Sequence, residues 1–154
     1  MSIITPRSLG YRFPAEFEKH NATWLSWPHN DTTWPGKINA IFPSYAAFIK
    51  KLAEGELVRI NVADQVMKEV ASNLLAMHGV NLVKVEFYFH PTNDAWCRDY
   101  GPAFLVNPDA KEPKAVVDWD FNSWGGKYPP PLHQPIAPGP AHKNPSGNFQ
   151  SDFY

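Results

Sequence analysis

The chain has 154 residues, of which 44% are hydrophobic and 19% charged, with a formal net charge of -1. That balance supports a folded core, and the absence of any Lys/Arg run excludes the basic surface that nucleic acid or an anionic membrane requires. Nowhere do roughly 18 apolar residues run together, and Met1 to Gly10 carries no apolar signal core, so a cytoplasmic protein is expected. Cys97 is the single cysteine, which rules out an internal disulfide and a multi-cysteine metal centre. Neither metal nor cofactor is expected. Asn21-Ala22-Thr23 and Asn30-Asp31-Thr32 match the glycosylation pattern but count for nothing without export.

In chain order, Thr23 to Trp27 alternates and stops at Pro28, which predicts a short strand followed by an aromatic loop, Pro28 to Pro35. Ile38, Ile41, Phe42, Tyr45, Phe48, Ile49 and Leu52 then form one apolar stripe at helical spacing. Pro43 falls inside it, so the main helix is expected to start at Pro43, after a separate or kinked first turn, and to stop before Gly55. Glu56 to Val62 reads as a buried strand. Asp64 is an N-cap candidate for a helix to His78, with Val66, Val70, Leu74 and Met77 on its apolar face and Gly79 as its stop.

Leu82 to Phe89 alternates Val83, Val85, Phe87 and Phe89 against Lys84, Glu86 and Tyr88, predicting a strand with one buried face. Ala103 to Asn107 and Lys114 to Phe121 read as two strands of a hairpin turning at Asn107-Pro108-Asp109. The alternation of strand and helix makes the fold class α/β. Composition changes near Tyr128: every Trp lies at or before Trp124, whereas seven of the 16 prolines lie from Pro129 onward. Residues 129–154 are therefore expected to be an irregular Pro-rich tail outside the fold, and residues 1–128 to hold the folded part.

No GxGxxG, P-loop, HExxH, CxxC or GxSxG is present. Two polar and aromatic stretches remain, Asn93-Asp94-Ala95-Trp96-Cys97-Arg98-Asp99 and Asp118 to Gly126 with Trp119, Asn122 and Trp124. Carboxylates beside flat indoles suit a planar cation, because a carboxylate accepts a guanidinium bidentately and an indole face attracts its charge. Against this, Asp94 and Asp99 can serve as turn caps, Asp99 can pair with Arg98 or Lys127, and the tryptophans can be ordinary packing residues. Cys97 reads as a small buried residue rather than a nucleophile. His20, His29, His78 and His90 share no spacing that assigns a metal site or a base.

Pro14-Ala15-Glu16-Phe17-Glu18-Lys19-His20, Thr23 to Asn30, Thr92 to Asp99 continuing into Tyr100-Gly101-Pro102, and Asp118 to Gly126 resemble, in order, the N-terminal part of the agmatine deiminase and bacterial peptidylarginine deiminase family. The resemblance runs over about residues 11–128, the first third or so of a family chain. It implies a pentein-type α/β-propeller fragment, about two ββαβ modules of a closed fan. It also implies guanidine hydrolysis: agmatine plus water giving N-carbamoylputrescine and ammonia in putrescine biosynthesis, or peptidyl-arginine giving citrulline. Asp99 matches the catalytic-site aspartate that holds the guanidinium, and Trp96 the indole beside it. Asp94 supports the loop, and Asn122 and Trp124 belong to a neighbouring substrate-binding stretch.

Cys97 stands where the family ordinarily has methionine, in agreement with its reading as a packing residue. The family's nucleophilic cysteine, in a Gly-rich segment before Thr, and its later His-x-Asp pair have no counterpart after Asp99. The expectation is an inactive fragment arising from a truncation or frame change. The alternatives are a noncatalytic guanidinium or polyamine-binding module and half of a split enzyme. Self-association through uncovered apolar surface is also expected.

Overall fold

The computed structural model describes residues 5–117 and 123–127. They fall into two units, one of residues 19–99 with 123–127 and one of residues 5–18 with 100–117.

The larger unit is a three-stranded parallel sheet in the order β1 (Ala22–Ser26), β2 (Leu57–Val62), β3 (Val85–Phe89). Helices α1 (Ile38–Ala53) and α2 (Gln65–Met77) make the two crossovers and touch each other. Sequential parallel strands joined by crossovers of one hand carry their helices on one face. That face is dry: Val58, Ile60, Val62, Leu25 and Trp27 pack with Ala46, Ile49, Ala53, Ala71 and Leu75 in a single core. Each buried branched side chain there contributes about 1.5–3 kcal/mol by removal from water. Trp27 stacks on Phe42 at 5.4 Å between centroids, and the Tyr45 hydroxyl donates to the Ser26 carbonyl at 2.9 Å, which ties α1 to the end of β1.

The opposite face is polar and aromatic. The register sets Trp24 beside Arg59 and Glu86, and Ser26 beside Asn61 and Tyr88. Arg59 Nε donates to Glu86 at 2.9 Å, and its guanidinium carbon lies 5.5 Å from the Trp24 ring centroid and 5.9 Å from that of Tyr88.

Three details differ from the sequence expectation. Helix α1 is continuous from Ile38 with Pro43 inside it. Pro43 and Asn39, whose carbonyl loses its helical donor, are both exposed, so that group is not forced into a dry core without a partner and the helix continues. On α2 the Asp64 carboxylate caps the Met67 amide at 2.8 Å as expected, yet the buried face is Ala71 and Leu75 with Met67 and Leu74 packed beside them. Val66, Val70 and Met77 are exposed. Small Ala71 lets the helix approach the sheet closely, which a stripe of larger residues does not. Leu82–Lys84 is a 3-10 turn capped by Asn81 rather than the start of β3, and it leaves Val83 86% exposed.

The smaller unit holds the antiparallel hairpin β4 (Ala103–Val106) and β5 (Lys114–Val117). Asn107 Oδ1 accepts from the Asp109 amide at 3.1 Å and its Nδ2 donates to the Leu9 carbonyl at 3.0 Å, so one side chain closes the turn and anchors the N-terminal segment. Gly10 has φ +81°, and a Cβ there would meet Asn107 Nδ2 at 2.9 Å. Arg12 pairs with Glu18 through two hydrogen bonds of 2.6 and 2.7 Å, and with the Ala15 amide this holds the Glu18 carboxyl down at about 2. The rest of the expected fifth strand, 118–121, and the Pro-rich segment lie outside the described residues.

Candidate functional site

Parallel strands release their loops at one end of the sheet, where sites of α/β proteins are built. Here the segment after β1 and the segment after β3 meet. Ser26, Asn61 and His90 link the three strand ends: Asn61 Nδ2 donates to Ser26 Oγ at 3.3 Å, and His90 Nδ1 lies 3.1 Å from Asn61 Oδ1. Because that oxygen only accepts, Nδ1 carries the proton. Burial lowers the His90 pKa from its ordinary value, so the ring is kept neutral. The ring also stacks with Trp24 and Tyr88, at 6.4 and 6.0 Å.

The loop after His90 is clamped from the β1 side at three positions. Asn30 Nδ2 donates to the Asn93 carbonyl at 3.0 Å, the Thr33 hydroxyl donates to an Asp94 oxygen, and Trp34 stacks on Trp96 at 6.1 Å with 17° between planes. The other Asp94 oxygen accepts from the Ala95 amide at 2.7 Å. Both carboxylate oxygens of Asp94 thus hold the loop.

Trp96 precedes the single-turn helix α3 (Cys97–Tyr100), and the Asp99 amide donates to the Trp96 carbonyl at 3.0 Å. That hydrogen bond closes a turn that carries both residues. Trp96 is 43% exposed, and Asp99 is exposed with no hydrogen bond or ion pair of its carboxylate among the described residues. The pairing with Arg98 or Lys127 that the sequence leaves open for Asp99 is not formed. Cys97 directs its thiol to the Trp24 carbonyl at 3.4 Å, and burial pushes its pKa up from its ordinary value, so it stays an S–H at neutral pH.

Of the residues singled out in the sequence, Asp94, Trp96 and Asp99 lie on one stretch after β3, the first in the clamped loop and the other two bridged by a backbone hydrogen bond. Trp124 is in a separate left-handed turn, Ser123–Gly126, where Ser123 and Trp124 both have φ of 56°. Such a turn is rare for residues with a Cβ. Asn122 lies outside the described residues, as do Asp118 and Trp119. Sequence reading missed Asn30, Thr33 and Trp34 as partners of the loop. Among the described residues no group of three or more His, Cys, Asp or Glu is arranged to hold a metal, and no helix is long and apolar enough to cross a membrane.

Residues 12–149 match the Porphyromonas-type peptidyl-arginine deiminase family. The chain belongs to that family. The matched span runs further than the 11–128 range read from the motifs and enters the Pro-rich segment. Agmatine deiminase of Pseudomonas aeruginosa (strain LESB58) is 36% identical over 122 residues, 79% of this chain and 31% of that protein. The structure resembles C. jejuni agmatine deiminase with substrate bound, with a TM-score of 0.63, 27% identity and coverage of 77% of this chain and 32% of that one. A second structure of the C. jejuni enzyme gives a TM-score of 0.60 at 27% identity over 76% of this chain. The parallel sheet and its helices are thus part of a pentein-type α/β fold. The chain spans about a third of the length of these relatives.

Proposed function

We propose that this chain carries the guanidinium-holding part of a deiminase, in which Asp99 takes the cationic group, Trp96 lies against its plane, and Asp94 fixes the loop that presents them. Asn122 and Trp124 complete the substrate side. The substrate is agmatine, hydrolysed to N-carbamoylputrescine and ammonia, or the arginine side chain of a protein. The observation that carries this reading is the exposed pair Trp96 and Asp99 on one turn, at the end of a parallel sheet. A guanidinium meets there both a bidentate acceptor and a flat, electron-rich surface.

The family mechanism that the resemblance implies also uses a thiolate to attack the guanidinium carbon and a group to move protons. Cys97 is a half-buried thiol bonded to a carbonyl, with its pKa pushed up, so it supplies no thiolate. These 154 residues hold no other cysteine. On this reading the chain alone is inactive, a part that binds without turning over, and we assign it to the cytoplasm. Ammonia release from agmatine by the purified chain is expected at background and unchanged by Cys97→Ala. Robust turnover that Cys97→Ala abolishes would overturn this assignment.

The exposed acceptor at Asp99 also fits a noncatalytic module for guanidinium or polyamine ligands. An ammonia burst on mixing with a separately made chain that carries a Gly-rich Cys-Thr segment would favour the split enzyme over that module.

A further inference from the structure

Trp34 is the one member of the clamp on the 93–96 loop whose side chain makes no hydrogen bond. Its Nε1 is buried without an acceptor, whereas Asn30 and Thr33 on the same loop hold Asn93 and Asp94 by hydrogen bonds. The two polar anchors already place the backbone of both segments. What Trp34 adds is a nearly parallel ring against Trp96, at 6.1 Å and 17°. A buried N–H left unpaired is a cost, so the indole is present here for its flat surface and not for hydrogen bonding. Trp96, with that ring nearly parallel to its own, keeps 43% of its surface open.

We propose that Trp34 is a specificity-determining positioning residue, which fixes the plane of Trp96 so that its open surface accepts a planar guanidinium in preference to an ammonium of the same chain length. The proposal rests on the reading of Trp96 and Asp99 as a guanidinium site. The physical basis is the difference between the two cations. A guanidinium is flat and weakly hydrated and stacks on an aromatic face, whereas an ammonium is compact and strongly hydrated and gains little from the ring's orientation. An indole free to rotate offers the charge of either ligand the same average surface. An indole held by a second ring rewards only the flat one.

The test uses the full chain and two probes that differ in the reacting end, agmatine and 1,4-diaminobutane, titrated against the indole N–H signals by nuclear magnetic resonance, which reads binding even at roughly millimolar strength. The wild-type chain is expected to prefer agmatine by about tenfold. Trp34→Ala and Trp34→Leu, the second keeping apolar bulk without a flat face, are expected to reduce the preference to about twofold or less while leaving 1,4-diaminobutane binding unchanged. Trp34→Phe, which keeps a ring and removes the unpaired N–H, is expected to restore it. A preference that survives in Trp34→Ala and Trp34→Leu, or equal weakening of both ligands, would overturn the role given to Trp34 while leaving the guanidinium site standing. No agmatine response in the wild-type chain, or one indifferent to Asp99→Ala, would overturn the site itself and the inference with it.

Discussion

On the polar face of the sheet, Arg59 lies over Trp24 and Tyr88 and donates to Glu86; at the strand ends, Trp96 and Asp99 offer an indole and a carboxylate to solvent. The ingredients are the same, and what separates the two places is how they are held and filled. The first cradle is built by strand register, with Trp24, Arg59 and Glu86 opposite one another on three strands, and the chain supplies its own guanidinium. The second is built by loops clamped through Asn30, Thr33 and Trp34, and the Asp99 carboxylate has no partner among the described residues. On the proposed reading, aromatic and acidic residues mark a ligand site only where the chain has not already provided the cation.

That contrast predicts separable effects. The largest is on stability: Arg59→Ala removes packing of the side-chain stem and two ring contacts, and is expected to cost about 1–2 kcal/mol in urea unfolding. The ion pair itself adds little to this, because Glu86 is 40% exposed. Agmatine binding is expected to be unchanged, so a loss of binding in Arg59→Ala would join the two cradles into one site.

A smaller effect concerns pH. His90 is held neutral in the folded chain with its pKa lowered by burial, while the unfolded chain takes the proton near 6.5. Between those values the unfolded state binds more protons, so this contribution is present in full above pH 6.5 and is lost as pH falls toward the folded value. A midpoint of urea unfolding that declines on acidification in the wild type, and less so in His90→Asn, checks it. The smallest effect is that of Cys97→Ala, expected to change stability by less than about 1 kcal/mol, the worth of one weak hydrogen bond, with no change in ligand binding.

Much of this was readable from residues close together in sequence. Asp94, Trp96 and Asp99 fall in one short stretch, and the Asp64 cap and the strands Leu57–Val62 and Ala103–Val106 follow from local pattern. The errors arose where two local patterns competed. Helix α2 has apolar residues on neighbouring stripes, and the sheet selected the one with small Ala71, leaving Met77 86% exposed. In α1, exposure of Asn39 and Pro43 made a proline harmless that spacing alone treated as a break. The clamp at Asn30, Thr33 and Trp34 was hidden because its partners lie about 60 residues away, and nothing local in Asn-Asp-Thr-Thr-Trp states which loop it will meet.

The central claim is that Trp96 and Asp99 form a site for a guanidinium supplied from outside the chain. Calorimetric titration of agmatine into the wild-type chain and Asp99→Ala tests it most directly, since Asp99 is exposed and its removal is expected to leave the fold intact. Loss of a charge-assisted hydrogen bond predicts affinity weaker by at least about tenfold in Asp99→Ala, with an unchanged unfolding midpoint. Equal affinity in the two chains would contradict the account.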